Sequence, residues 1–261
     1  MSGVVKRPLA GKRVVVTRQV ERSASLSDRL STYGAQTILC PTIRITPPTS
    51  SVEMDCAISQ IESYRWVVFP SANSARSMLQ RMQETGISSD RLAEVSLAAV
   101  GPATRGELEI KGATVSYVPD EYVAERLGET LNPVMDERIL VMKADIGEST
   151  LADILTRRGA QVDEVVAYRT VPQAPAGNVV AELKRGVDVL TFTSPSTVRG
   201  FIEVGPDWRD LTVGVMIATI GPLTSEAARK VGLRVHVEAK EHTMEGLVSA
   251  IVTMVTGKAG G

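Results

Sequence analysis

Apolar residues follow two rhythms along this chain. Short continuous runs rich in Val, Ile and Leu, such as RVVV at 13–16, WVVF at 66–69, RILVM at 138–142 and VLTF at 189–192, have the pattern of strands buried on both faces. Between such runs lie helical stretches of about ten to fifteen residues, the usual length of the helices that join parallel strands. Gly34, Gly86, Gly112, Gly159 and Gly232 stand where these helices would end, and glycine is favoured there because the residue after a helix often needs a left-handed backbone. Strands alternating with helices predict parallel sheets covered on both faces, an α/β architecture.

The pattern occurs twice. VVFPSANSARSML at 67–79 resembles VLTFTSPSTVRGFI at 189–202, and LAAVGPATRGELEIKGATVSYV at 97–118 matches IATIGPLTSEAARKVGLRVHV at 217–237. RVVVTR at 13–18, running into LSTYGAQTILC, returns as RILVMKAD at 138–145, running into LTRRGAQVDEVV. Three blocks repeated in the same order predict two doubly wound domains of related topology. CPTIRITPP at 40–48 and VVAYRTVPQAP at 165–175 occupy equivalent places and run into prolines, which read as extended connectors at a hinge. The tail TGKAGG at 256–261 is small and polar and is expected to fray.

Ligands of open α/β sheets bind beyond the carboxyl ends of the strands, where loops lead into helices. That rule selects four loops. GPAT at 101–104 and GPLT at 221–224 each put a Gly at a strand end, a Pro at a first helical position and a Thr in the first turn. The uncommitted N–H groups of such a turn and the positive end of the helix dipole attract anions. PSANS at 70–74 and TSPST at 193–197 are rich in hydroxyl and amide side chains, which either cap their helices or bind a ligand. Tyr168, in the second connector, either packs with a hydrogen-bonded tip or presents its phenol to a ligand.

Composition narrows the classes. The 29 basic and 30 acidic residues nearly cancel and are dispersed, so no nucleic-acid partner is expected. No apolar run approaches the ~18 residues of a spanning helix, which leads us to expect a cytoplasmic protein without a membrane partner. Cys40 and Cys56 lack the spacing of a zinc site or disulfide framework, and His236 and His242 lack a second ligand at metal spacing. No phosphate loop, dinucleotide fingerprint or nucleophile elbow occurs, which argues against an enzyme of phosphorylated metabolites and leaves a two-lobed polyanion-binding module as the main rival to a catalyst.

The segments VVTR at 15–18, WVVFPSAN at 66–73, AAVGPAT at 98–104, EVVAYRT at 164–170, TFTSPSTVR at 191–199 and ATIGPLTSEAA at 218–228 carry a resemblance. In this order and spacing the chain resembles uroporphyrinogen-III synthase, from about Arg13 to Ile251. Pro70, Gln19 and the pair Lys143–Ala144 depart from that family's commoner Thr, Pro and Arg-Gly. The resemblance implies two α/β domains joined by a two-stranded β-ladder, one formed by 1–40 with 174–261 and the other by 49–164, with hinge strands at 41–48 and 165–173. It implies a monomeric lyase that needs no cofactor or metal and acts on a linear tetrapyrrole, hydroxymethylbilane. Loss of the terminal hydroxyl as water gives an azafulvene. Attack by the last ring through a spiro intermediate then gives the inverted macrocycle. Tyr168 matches the family's hinge tyrosine and is the candidate catalytic group. Ser71, Asn73, Thr104, Ser194, Ser196, Thr197 and Thr224 are the expected carboxylate contacts, Gly101 and Gly221 permit close backbone approach, and Arg18 and Lys143 are the candidate charge partners.

Overall fold

The computed structural model of the chain describes residues 7–146, 149–203 and 208–257, so 258–261 of the tail lie outside the described residues. In chain order the elements are β1 (Arg13–Val16), α1 (Val20–Thr32), β2 (Gln36–Leu39), β3 (Ile43–Thr46), α2 (Val52–Ser59), β4 (Trp66–Phe69), α3 (Ala72–Glu84), β5 (Ser96–Ala99), α4 (Pro102–Glu109), β6 (Val115–Tyr117) and α5 (Ala124–Thr130). They continue with β7 (Arg138–Ala144), α6 (Thr150–Arg157), β8 (Gln161–Pro172), α7 (Gly177–Lys184), β9 (Val189–Phe192), α8 (Pro195–Glu203), α9 (Trp208–Thr212), β10 (Met216–Thr219), α10 (Pro222–Lys230), β11 (Val235–Glu238) and α11 (Met244–Thr256). No described helix is long and apolar enough to cross a membrane.

The chain divides into two units, 1–44 with 171–261 and 45–170. The first holds a five-stranded sheet in the order β11-β10-β9-β1-β2, and the second sheet runs β3-β8-β7-β4-β5-β6. The registered neighbours are parallel in both: β1 with β2 and β9, β10 with β9 and β11, β4 with β5 and β7, β5 with β6, and β7 with β8. Matching the repeats pairs β1 with β7, β2 with β8, β9 with β4, β10 with β5 and β11 with β6. Apart from the edge strand β3, which has no counterpart in the first sheet, the two sheets then have the same strand order, reached by different routes. The second unit starts at the strand equivalent to β9 and ends at the one equivalent to β2, a circular permutation that leaves the first unit discontinuous. The segments expected as hinge strands, 41–48 and 165–173, contain β3 and the distal part of the 12-residue β8. The stretch to Tyr168 pairs with β7.

Alternating residues of each central strand feed two cores, which is why these strands read as unbroken apolar runs. In the first unit Val14, Val16 and Val189 pack with Leu26, Leu30 and Leu247 of α1 and α11, whereas Val15, Leu190 and Phe192 pack with Val198 and Phe201 of α8. In the second unit Val67 and Phe69 face α2 and α3, and Trp66 and Val68 face α5 and α6. The five glycines expected to end helices all have positive φ, between 72° at Gly86 and 92° at Gly34 and Gly159. Cys40 and Cys56 are both free, and burial pushes the Cys40 thiol up to about 11.

Asp188 joins the start of β9 to that of β1. Its carboxylate accepts the Arg13 backbone N–H and the Lys12 ammonium, each at 2.8 Å. Burial raises its pKa, but these donors outweigh it and hold the group below the ordinary 3.8. A depressed carboxyl contributes stability that is complete above the unfolded pKa and is lost as pH falls through the folded one. Asp188→Asn is therefore expected to cost about 1.5 kcal/mol at pH 7. In urea melts the gap to wild type should narrow below about pH 4; a gap unchanged down to acid pH would contradict the pairing.

Candidate functional site

In the five strands that the two sheets share, the strand order reverses once, between β1 and β9 in the first unit and between β7 and β4 in the second. Crevices for ligands open at such switch points, beyond the carboxyl ends of the strands. The segments flanking them hold Arg18 and Ser194–Thr197 in one unit, and Lys143 and Ser71–Asn73 in the other. The next loop outward on the same edges holds Gly221–Thr224 and Gly101–Thr104. Within each unit the expected residues therefore share one sheet edge.

The GPAT and GPLT turns are built alike. Gly101 and Gly221 are the N-caps of α4 and α10, with Pro at the first helical position and no side-chain cap. A glycine here leaves the end of the helix open. Thr104 and Thr224 are each only 3% exposed, and neither hydroxyl has a hydrogen-bond partner among the described residues. Ser27 is the one described residue with a buried, unpaired side-chain oxygen closed to solvent, so the small exposure of the two threonines includes their hydroxyls. The Ala103 and Leu223 N–H groups in the same turns are also unpaired. Each turn thus offers a hydroxyl and an amide donor at a helix N-terminus, a place for an anion.

The PSANS and TSPST loops spend their hydroxyls differently. Ser71 accepts the Ser74 N–H at 3.1 Å in a capping box, and its Oγ is also 3.2 Å from Tyr168 Oη. Ser194 accepts the Thr197 N–H at 3.2 Å, and Thr197 Oγ1 donates to Ser194 O at 2.8 Å. Thr197, expected as a carboxylate contact, is 2% exposed with its hydroxyl engaged in both directions. It closes the turn. Ser196 is half-buried and shares a 2.8 Å hydrogen bond with Ser194. Asn73, also half-buried, accepts from Arg76 at 3.3 Å.

Of the charged candidates, Arg18 is half-buried with one guanidinium nitrogen 3.0 Å from the Met244 sulfur. Lys143 pairs with Glu164 at 3.1 Å and donates to Ser149 at 3.0 Å, so its charge is already answered. Tyr168 lies on β8 and is 8% exposed, its ring within the core between the sheet and α2–α4. Its hydroxyl touches the site through Ser71 rather than projecting freely from a hinge.

Two neighbours of the open turns escaped the sequence reading. A Cβ added at Gly101 would lie 3.3 Å from Tyr122 Cβ, and one at Gly221 would lie 3.0 Å from the His242 ring. Both rings belong to exposed side chains. Extending the repeat past β6 and β11 aligns Tyr122 with His242.

The model of the family uroporphyrinogen-III synthase HemD matches residues 24–249. The chain belongs to the uroporphyrinogen-III synthase family. It is 35% identical to a uroporphyrinogen-III synthase of Synechococcus elongatus over 257 residues, covering 95% of this chain and 97% of the relative. It is also 28% identical to the porphyrin biosynthesis protein HemD of Ruminiclostridium josui, over 98% of this chain but 51% of that longer protein. Among solved structures, a mutant uroporphyrinogen III synthase from the extremely thermophilic bacterium Thermus thermophilus shares the fold with a TM-score of 0.66 at 16% identity, covering 95% of this chain and all of that one. The resemblance carried by the motifs of uroporphyrinogen-III synthase therefore holds, as does the α/β fold class.

Proposed function

We propose that this chain is a cyclising lyase, a uroporphyrinogen-III synthase that converts hydroxymethylbilane to uroporphyrinogen III with loss of one water and inversion of ring D. The observation that carries the reading is the duplicated open helix end, in which the unpaired, solvent-touching hydroxyls of the otherwise buried Thr104 and Thr224 stand beside uncommitted N–H groups. A hydrogen bond to a charged group contributes roughly 1.5–3 kcal/mol. Several such donors hold a polycarboxylate without a dense basic patch. Ser71, Asn73, Ser194 and Ser196 add polar contacts on the same edges, and Arg18 adds positive charge. Thr197 and Lys143 support those loops, one by closing a turn and one by fixing β7 to Glu164.

The chemistry makes few demands on acid and base groups. The terminal hydroxyl leaves with a proton as water, and the electron pair of the first pyrrole nitrogen forms the azafulvene. The substituted carbon of the last ring attacks it to give the spiro intermediate. Fragmentation, rejoining at the other carbon and loss of a proton from carbon complete the inverted ring. The bilane can also close unaided without inversion, so the protein acts chiefly by holding a conformation. Tyr168, 3.2 Å from Ser71 Oγ, steadies that loop and orients or protonates the leaving hydroxyl through it. The proposal takes the enzyme as a cofactor-free, cytoplasmic monomer.

Tyr168→Phe is expected to fold with a thermal midpoint lowered by only a few degrees, for one lost hydrogen bond of about 1 kcal/mol, and to turn over about ten-fold more slowly, a modest acid–base or positioning effect. An unchanged rate would remove Tyr168 from the mechanism. The proposal as a whole is tested by following bilane consumption with purified chain and a chelator in the buffer: consumption should rise in proportion to enzyme, and a rate equal to the blank would sink the reading.

A further inference from the structure

Exposure repeats residue for residue between 112–131 and 232–251, an offset that also relates Gly101 to Gly221 and Thr104 to Thr224. The turns leading into α5 and α11 share one hydrogen bond, Val123 N–H to Glu121 O and Thr243 N–H to Glu241 O, each 2.8 Å. Two copies of one anion site, alike in N-cap glycine, proline and threonine, would by these groups alone treat the acid side chains of the bilane alike. The substrate is not symmetric. Its two ends differ, and its acid side chains have two lengths.

The copies differ in the ring set against the N-cap glycine. In the second unit it is Tyr122, 61% exposed, with its Cβ and Cγ 3.3 and 3.4 Å from where a Gly101 Cβ would stand. In the first unit it is the exposed His242, with its Cδ2 and Nε2 3.0 and 3.3 Å from the corresponding point at Gly221. A side chain at either glycine would displace its ring. The phenol is a longer, flat, apolar surface with a hydroxyl at its tip, and the imidazole is a shorter ring with a polar nitrogen near the glycine. Ring, unpaired threonine hydroxyl and unpaired N–H meet at each helix end.

Resting on the synthase reading, we propose that Tyr122 and His242 contact the bilane at the two open helix ends and make these ends unequal, so that each unit takes a different acid side chain. A site tuned to one chain length discriminates against a partner differing by one methylene on the order of ten-fold or more. The exposed Leu223, which stands where the other turn has Ala103, is a second difference, but only the ring lies against the N-cap glycine.

The test is steady-state kinetics with hydroxymethylbilane on wild type, Tyr122→Ala, His242→Ala and the double exchange Tyr122→His with His242→Tyr. Thermal midpoints should stay at wild type, since both side chains are exposed. Each alanine variant is expected to raise KM about ten-fold with kcat within about two-fold, the mark of lost binding. The exchange variant, which keeps both rings but reverses them, should not recover the wild-type KM. Alanine variants with a wild-type KM, or an exchange variant indistinguishable from wild type, would overturn the proposal. Wild-type protein that does not consume bilane would instead overturn the synthase reading beneath it.

Discussion

Thr104→Val combined with Thr224→Val is expected to lower kcat/KM on the order of 10³-fold while leaving the thermal midpoint at or slightly above wild type. Valine keeps the shape of threonine and removes only the hydroxyl. Each threonine is almost fully buried and its hydroxyl touches solvent without a partner among the described residues, so folding gains little from it. Removing an unsatisfied polar group from a buried position is neutral or stabilising. In the bound state each hydroxyl would face a carboxylate, and two lost hydrogen bonds to charged groups amount to roughly 3–6 kcal/mol. Activity and stability should therefore separate. A midpoint that falls together with activity would mean that the threonines hold the turns rather than the substrate. Single variants measured beside the double show whether the two helix ends act independently.

Gly200→Ala is expected to unfold the first unit far more readily while its chemistry stays in place. Gly200 lies in α8, and a Cβ there would meet the Thr42 carbonyl oxygen at 2.3 Å and Ile43 Cγ2 at 2.6 Å. That carbonyl is fixed, because it accepts the Gln173 N–H at 2.9 Å and its own side chain donates to Thr197 O at 2.8 Å. The helix must move away from the chain at Thr42. We expect a cost of about 3 kcal/mol, or on the order of 10 °C in the thermal midpoint. Gly106→Ala is the control, since it lies in α4 with nothing within 4 Å of its added Cβ. There alanine should stabilise by about 0.5–1 kcal/mol through helix propensity. Equal midpoints for the two variants would contradict the close approach of α8 to Thr42.

The elements legible in the sequence were those whose cause is local. Strands such as WVVF and VLTF are buried on both faces and so carry continuous apolar runs, and helix-ending glycines need only their own backbone angle. The repeat made the shared topology visible as well. Side-chain partnerships across the fold were less legible. Lys143 reads as an available cation until Glu164, on the neighbouring strand β8, answers its charge. Thr197 and Ser196 look interchangeable in TSPST, yet the backbone turn commits one hydroxyl and leaves the other half-buried. Tyr168 stands in a segment that reads as an extended connector, but the 12-residue β8 carries its ring into a core. Tyr122 and His242 differ too much to be matched as residues, and their equivalence appears only when the repeat is carried past the last matched strands.

The most direct test of the central claim is the identity of the product. Freshly generated hydroxymethylbilane is supplied to increasing amounts of the purified chain, the products are oxidised, and the type I and type III isomers are separated by chromatography. The type III share is expected to rise with enzyme until type I disappears. Type I alone at every concentration would contradict the synthase reading.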